Sequence, residues 1–363
     1  MERPAHGGNL AWAAPLAGCS PDAILDFSAS INPAGLPASA IAAIQSHLGD
    51  LTAYPDPNYS QLRTALAQFH GLSADWILPG NGSAELLTWA CRELAEQDGT
   101  YLLLPAFGDY WRALNAFQAK VIGMPLPLQP IPLSPDATAP QWLDEGPSTA
   151  ANRGLLLNNP HNPTGQLFLR QTLLPYLERF SLVVVDEAFM DFLPPSQQQS
   201  LIEAVCDHPN LVVLRSLTKF YSLPGLRLGY AIAHPDRLQR WQRWRDPWSV
   251  NALAAAVGAA VVQDEAFQQR TWDWMATVQP AFFQGLASLP GLTPFASAAN
   301  FFLVQSVQPV PPLQTQLLQH HHILIRDCLS FPELGDRYFR VAVRTPAENQ
   351  RLLTGLADIL EKG

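Results

Sequence analysis

Short, unbroken hydrophobic runs alternate with longer segments of helical periodicity along the first two thirds of the chain. TYLLLP (100–105), RGLLLNNP (153–160), SLVVVDEAF (181–189), NLVVLRSL (210–217) and RLGYAIA (227–233) are rich in leucine or β-branched residues and bounded by polar or turn residues. Such runs predict strands buried on both faces. Helical patterns lie at 83–96, 108–119, 166–179 and 235–245. The alternation predicts an α/β sheet with helices on both faces.

The pattern changes after about residue 249. One or two long helices are expected to 288, followed by strands in ANFFLVQ (299–305), HHILIRD (321–327) and RYFRVAVRT (337–345), and a last helix over about 346–360. The expected organisation is therefore a large α/β domain over 40–250, with a mixed, mostly parallel sheet. A smaller α+β domain is expected from 251–363 together with the N-terminal segment 1–39.

Composition narrows the class. Nearly half of the 363 residues are hydrophobic and 15% are charged, which suits a packed globular chain rather than a disordered one. The net charge of −9, with no basic run, argues against nucleic acid and against an anionic membrane surface. Cys19, Cys91, Cys206 and Cys328 are far apart, so neither a zinc ribbon nor a disulfide framework is expected. No secretory signal or membrane-length apolar run is seen, and the expected location is the cytoplasm. The proline-dense stretch 124–140 reads as an extended surface connection. The histidine triplet 320–322 points in different directions and reads as a helix end, so no metal is expected.

Polar residues gather where the predicted strands end, the edge at which α/β sheets bind ligands. Asn158, Asn159 and Asn162 follow one strand, Asp186 and Glu187 end another, and Ser216, Thr218 and Lys219 follow a third. Asp186, behind four apolar residues, needs a cationic or hydrogen-bonded partner; it is either a loop cap or the partner of a protonated ring nitrogen. Lys219 is either a solvated charge or a desolvated amine able to attack a carbonyl. GNGSAE (80–85) is either a plain turn with an N-cap or a phosphate cradle, completed by Ser216, Thr218 and Arg227.

Together and in this order, the Gly-rich turn, NNPHNPTG, strand-terminal Asp186 and SLTK with Arg227 eight residues on resemble fold-type I pyridoxal 5'-phosphate enzymes of the aminotransferase class I/II group. The resemblance covers essentially the whole chain. It implies that Lys219 carries the cofactor, that Asp186 pairs with its ring nitrogen, and that Asn162 bonds its phenolic oxygen. It implies that Phe107 stacks on the ring, and that Gly82, Ser83, Ser216, Thr218 and Arg227 hold the phosphate. Tyr54 would reach the phosphate of a neighbouring subunit, which implies a homodimer with shared sites. One departure stands out: many members carry DEAY where this chain has DEAF, so Phe189 cannot donate to the phenolic oxygen.

HGGN (6–9), ILDFSASINPAGLP (24–37) and DPWSVNALAA (246–255) narrow the resemblance to the L-threonine-O-3-phosphate decarboxylases of cobalamin biosynthesis, relatives of histidinol-phosphate aminotransferases. This implies decarboxylation of a phosphorylated amino acid, with an aminotransferase as the alternative. His6, Asn32, Arg326 and Arg340 become the substrate-binding candidates, with Arg344 a further possible anion anchor. Which arginine takes the carboxylate and which the phosphate stays open.

Overall fold

The computed structural model describes residues 3–128 and 150–361. Its strands, in chain order, are β1 (Leu25–Asp26), β2 (Ile77–Asn81), β3 (Gly99–Leu104), β4 (Val121–Pro125), β5 (Ala150–Asn158), β6 (Phe180–Asp186), β7 (Leu211–Ser216), β8 (Leu228–Ala233), β9 (Leu292–Pro294), β10 (Phe301–Ser306), β11 (Ile323–Leu324), β12 (Arg326–Asp327) and β13 (Tyr338–Ala342).

Seven of them form one sheet in the order β2-β8-β7-β6-β5-β3-β4. The pairs from β4 across to β7 are parallel, while β8 runs antiparallel to both β7 and β2. Alternation along the central strands serves two cores. Leu155, Leu157, Val183, Val185, Leu211 and Val213 face one apolar cluster, and Leu156, Leu182, Val184, Val212 and Leu214 face the other. A strand that buries both faces reads as an unbroken apolar run, which is why β3, β5, β6, β7 and β8 were visible in the sequence.

Edge strands β2 and β4 were not expected. Each contains a glycine and a proline (Pro79 and Gly80, Gly123 and Pro125), which obscure a strand pattern yet are tolerated where only one ladder must be made. β4 takes up the start of the proline-dense stretch; residues 129–140 of that stretch lie outside the described residues. The expected helix at 166–179 is shorter, Arg170–Leu177.

β12-β13-β10-β9 form a smaller antiparallel sheet. Its core includes Phe302, Val304, Phe339 and Val341 from the strands and Leu352, Leu356 and Ile359 from the last helix. That helix, Pro346–Leu360, begins with a capping box between Thr345 and Glu348. The N-terminal segment joins this region. β1 pairs in parallel with β11, and Trp12, Ala13 and Ala17 of helix Leu10–Ala17 pack with Leu318 and Leu324. Helix Val310–His321 ends with His322 as a left-handed cap. No helix among the described residues is long and apolar enough to cross a membrane.

Candidate active site

Register aligns the carboxyl edge of the large sheet. Asn158 lies beside Asp186, and Asp186 beside Leu214, two residues before Ser216. β7 then turns into the short helix Leu217–Phe220, which carries Lys219. The Lys219 Nζ lies 5.2 Å from the centre of the Phe189 ring. Among the described residues it makes no hydrogen bond or ion pair. Burial lowers its pKa; nearby Asp186 opposes this, while Arg340 and Arg227 reinforce it. An amine held this way loses its proton readily and becomes a nucleophile toward a carbonyl.

The Asp186 carboxylate is held by two donors. Tyr110 donates its phenolic proton to Oδ2 at 2.8 Å, and the Ala188 N–H donates to Oδ1 at 3.0 Å. Burial raises its pKa, with Tyr110 and Lys219 acting in the opposite direction. Tyr110 was missed in the sequence. With Ala113 and Leu114 it forms the buried face of helix Gly108–Ala116, and a phenol in such a core must find a partner for its hydroxyl. Its ring meets Phe107 edge-on at 5.6 Å.

The anion cradle is assembled from three elements. Gly82 is the N-cap of helix Ser83–Ala95, with φ +74°, and a Cβ there would sit 2.6 Å from Arg227 Nη2. At Gly229 a Cβ would fall 2.5 Å from the Ser83 backbone nitrogen. Close approach of backbone requires the glycine at 229, while the positive φ favours the one at 82. The Ser216 and Thr218 hydroxyls lie 2.8 Å apart, and both side chains are buried. A helix N-terminus, two hydroxyls and a guanidinium make a phosphate site, while Lys219, Asp186 and Phe107 offer an amine, a carboxylate and an aromatic face. The residues fit pyridoxal phosphate.

The substrate candidates lie on the smaller sheet and the N-terminal segment. Arg326 of β12 and Arg340 of β13 are directly opposite one another in register. Burial lowers the pKa of both, Arg340 to about 10 with Arg326 contributing. Arg340 donates to Asn162 Oδ1 at 2.5 Å and to the Ser28 carbonyl at 3.5 Å. Arg326 donates to the carbonyls of Pro4 (3.0 Å) and Ala5 (2.6 Å), immediately before His6. The His6 ring sits 5.6 Å from that of Phe107, and desolvation followed by the Arg326 charge lowers its pKa. Gly7 packs so tightly on Ser28 that no side chain fits there, and the Gly8 N–H donates to Ser28 Oγ at 2.8 Å. HGGN is thus folded onto the candidate site.

Three candidates are placed differently from the rest. Asn32 is buried, with both amide protons engaged, on the Phe220 carbonyl and Thr271 Oγ1. It braces the Lys219 helix. Tyr54 is 79% exposed and stacks on Trp248 at 4.4 Å, with no hydrogen bond or ion pair among the described residues. Arg344 is spent on the Asp26 carbonyl and Glu348. Phe189, where many members carry the DEAY tyrosine, packs against Phe301 with ring centres 5.0 Å apart.

The aminotransferase class I and II family matches residues 22–356. The chain belongs to this family. Among curated relatives, the threonine-phosphate decarboxylase of Salmonella typhimurium is 40% identical, covering 98% of this chain and 96% of that protein. A histidinol-phosphate aminotransferase of Symbiobacterium thermophilum is 34% identical, covering 92% and 89%. The solved L-threonine-O-3-phosphate decarboxylase from Porphyromonas gingivalis superposes with a TM-score of 0.79 at 25% identity, covering 92% of this chain and 99% of that one. The expected α/β architecture, with a mostly parallel mixed sheet, is that of the family's solved members.

Proposed function

We propose that this family member is a pyridoxal phosphate-dependent carboxy-lyase. It removes carbon dioxide from L-threonine O-3-phosphate and yields (R)-1-amino-2-propanol O-2-phosphate for cobalamin biosynthesis. The observation that carries this reading is the facing pair Arg326 and Arg340. Like charges directly opposite on neighbouring strands repel, and burial adds to the cost. A substrate with two anionic groups relieves both. The 40% identity to the Salmonella decarboxylase supports the same substrate class.

Pyridoxal phosphate, when bound, supplies an electron sink for the pair released when a bond to the substrate Cα breaks. Lys219 holds it covalently, and Asp186 accepts from its ring nitrogen. Asn162 donates to its phenolic oxygen, and Phe107 covers its face. Gly82, Ser83, Ser216, Thr218 and Arg227 hold its phosphate. Arg326, Arg340 and His6 fix the substrate's anionic groups and so decide which Cα bond stands perpendicular to the ring, an orientation effect worth many orders of magnitude in rate. Lys219, freed from the cofactor when the substrate's amine takes its place, would carry a proton on Nζ and return it to Cα after carbon dioxide leaves.

The working unit in this proposal is a cytoplasmic homodimer with 40–250 as the large domain and 1–39 with 251–363 as the small one. The exposed side chains of Leu36, Ile41, Leu48, Leu51, Tyr54 and Trp248 support a partner surface, from which Tyr54 reaches the neighbour's cofactor phosphate.

The test is carbon dioxide release from L-threonine O-3-phosphate by cofactor-loaded protein, with Lys219→Ala as control. Release that is lost in the control is the expected result. A second reading, the histidinol-phosphate type of aminotransferase, draws on the 34% identical relative. Keto-acid consumption with conversion of the cofactor to its amine form, and no carbon dioxide, selects that reading.

A further inference from the structure

Tyr110 connects two parts of the proposed cofactor cradle. Its hydroxyl donates to Asp186 Oδ2 and its ring meets Phe107 edge-on. It is 2% exposed, so water cannot substitute for it. A carboxylate offers roughly two acceptor positions on each oxygen. With Ala188 on Oδ1 and Tyr110 on Oδ2, one position per oxygen is left and the plane of the group is set.

Donation to a carboxylate stabilises its charged form and makes it a weaker base. A buried carboxylate facing a protonated ring nitrogen would otherwise draw the proton to itself, leaving a neutral pair and a poorer electron sink. We infer that Tyr110 is a positioning residue that keeps Asp186 the weaker base of that pair, so that the shared proton stays on the ring nitrogen. The inference rests on the cofactor proposed above. The donor is permanent: burial, followed by the adjacent Asp186, raises the phenol's pKa well above its ordinary value, so Tyr110 stays protonated at working pH.

The test uses holoenzyme loaded with pyridoxal phosphate labelled with 15N in the ring, read by NMR at one pH. Wild type is expected at the protonated-ring position. Tyr110→Phe moves the resonance toward unprotonated pyridine. One hydrogen bond to a charged group corresponds to a redistribution of the proton by about 10- to 100-fold. In an Asp186→Asn background the same substitution adds no shift, which separates a direct effect from a structural one. A wild-type resonance in Tyr110→Phe with cofactor bound overturns the inference. 3-Fluorotyrosine at position 110 keeps the ring shape and donates more strongly, so it holds the resonance at or beyond the wild-type position. Movement toward unprotonated pyridine in that variant overturns the inference even where Tyr110→Phe loses its cofactor. Wild-type protein that takes up no cofactor removes the cofactor reading and this inference with it, an outcome distinct from an unmoved resonance.

Discussion

The backbone N–H of Asn32 donates to the carbonyl of Lys219 at 3.0 Å. Ser222 Oγ returns a bond to the Asn32 carbonyl at 2.7 Å, and the Asn32 amide reaches the Phe220 carbonyl and Thr271 Oγ1, each at 2.9 Å. The N-terminal segment is thereby fixed to the turn that carries the reactive lysine. The same segment offers the Ser28 carbonyl to Arg340. Substrate anchoring and lysine placement therefore share one stretch of backbone.

Asn32→Ala keeps the backbone bonds and deletes the side-chain ones, leaving a carbonyl and a hydroxyl buried without that partner. A loss of about 1–3 kcal/mol in stability is expected, measured by denaturant unfolding of the cofactor-loaded protein. The turnover number should fall more than the affinity for cofactor, because the lysine is misplaced while the phosphate cradle stays intact. Equal losses in both would show that Asn32 is only a structural brace.

Gly82→Ala should act on the cradle alone. With φ +74° and ψ 162°, Gly82 occupies a region essentially closed to side chains, costing about 1–3 kcal/mol. The new Cβ would also displace the Arg227 guanidinium. Cofactor affinity should drop by at least about 10-fold, read by equilibrium titration. Inorganic phosphate should lose its protection of the apoprotein against thermal unfolding in parallel.

Much of this site was legible because its residues sit at the ends of buried strands, where an unbroken apolar run gives way to Asp186 or to Ser216 and Lys219. The last helix, expected over about 346–360, is Pro346–Leu360, and Thr345 and Glu348 cap its start. What escaped were features set by tertiary contact. β2 carries Pro79 and Gly80, and its identity as a strand comes from pairing with β8. Tyr110 looks like any aromatic on a helix until the helix docks over Asp186. Asn32 reads as a loop residue free to meet substrate, and only the fold engages both of its amide protons. The facing of Arg326 and Arg340 depends on the β12–β13 register, which fourteen residues of separation do not reveal.

Removing either of those arginines should weaken substrate binding. Arg340→Gln should raise KM for L-threonine O-3-phosphate by about 10- to 100-fold, the scale of one charge-assisted bond. Phosphate should raise the unfolding temperature of wild-type apoprotein more than that of the variant. A KM unchanged in both Arg340→Gln and Arg326→Gln would remove the pair from substrate binding.

Lys219 should destabilise the apoprotein, and the sign follows from its lowered pKa. The unfolded chain binds this proton more tightly than the folded one. Between the lowered folded value and the ordinary lysine value of 10.5, the unfolded state therefore carries more proton and stability rises with pH. Below that window the penalty is present in full. Lys219→Met keeps the length of the side chain and removes the charge, so at pH 7 the variant apoprotein should be more stable by on the order of 1 kcal/mol. The difference should shrink as pH climbs toward 10, which paired denaturant titrations at pH 7 and at pH 9.5 would read. Asp186→Asn should enlarge the wild-type penalty, since Asp186 is the group that favours the charged amine. A Lys219→Met apoprotein less stable than wild type at pH 7 would mean that the amine is stabilised in the folded state, and that it is not the primed nucleophile described above.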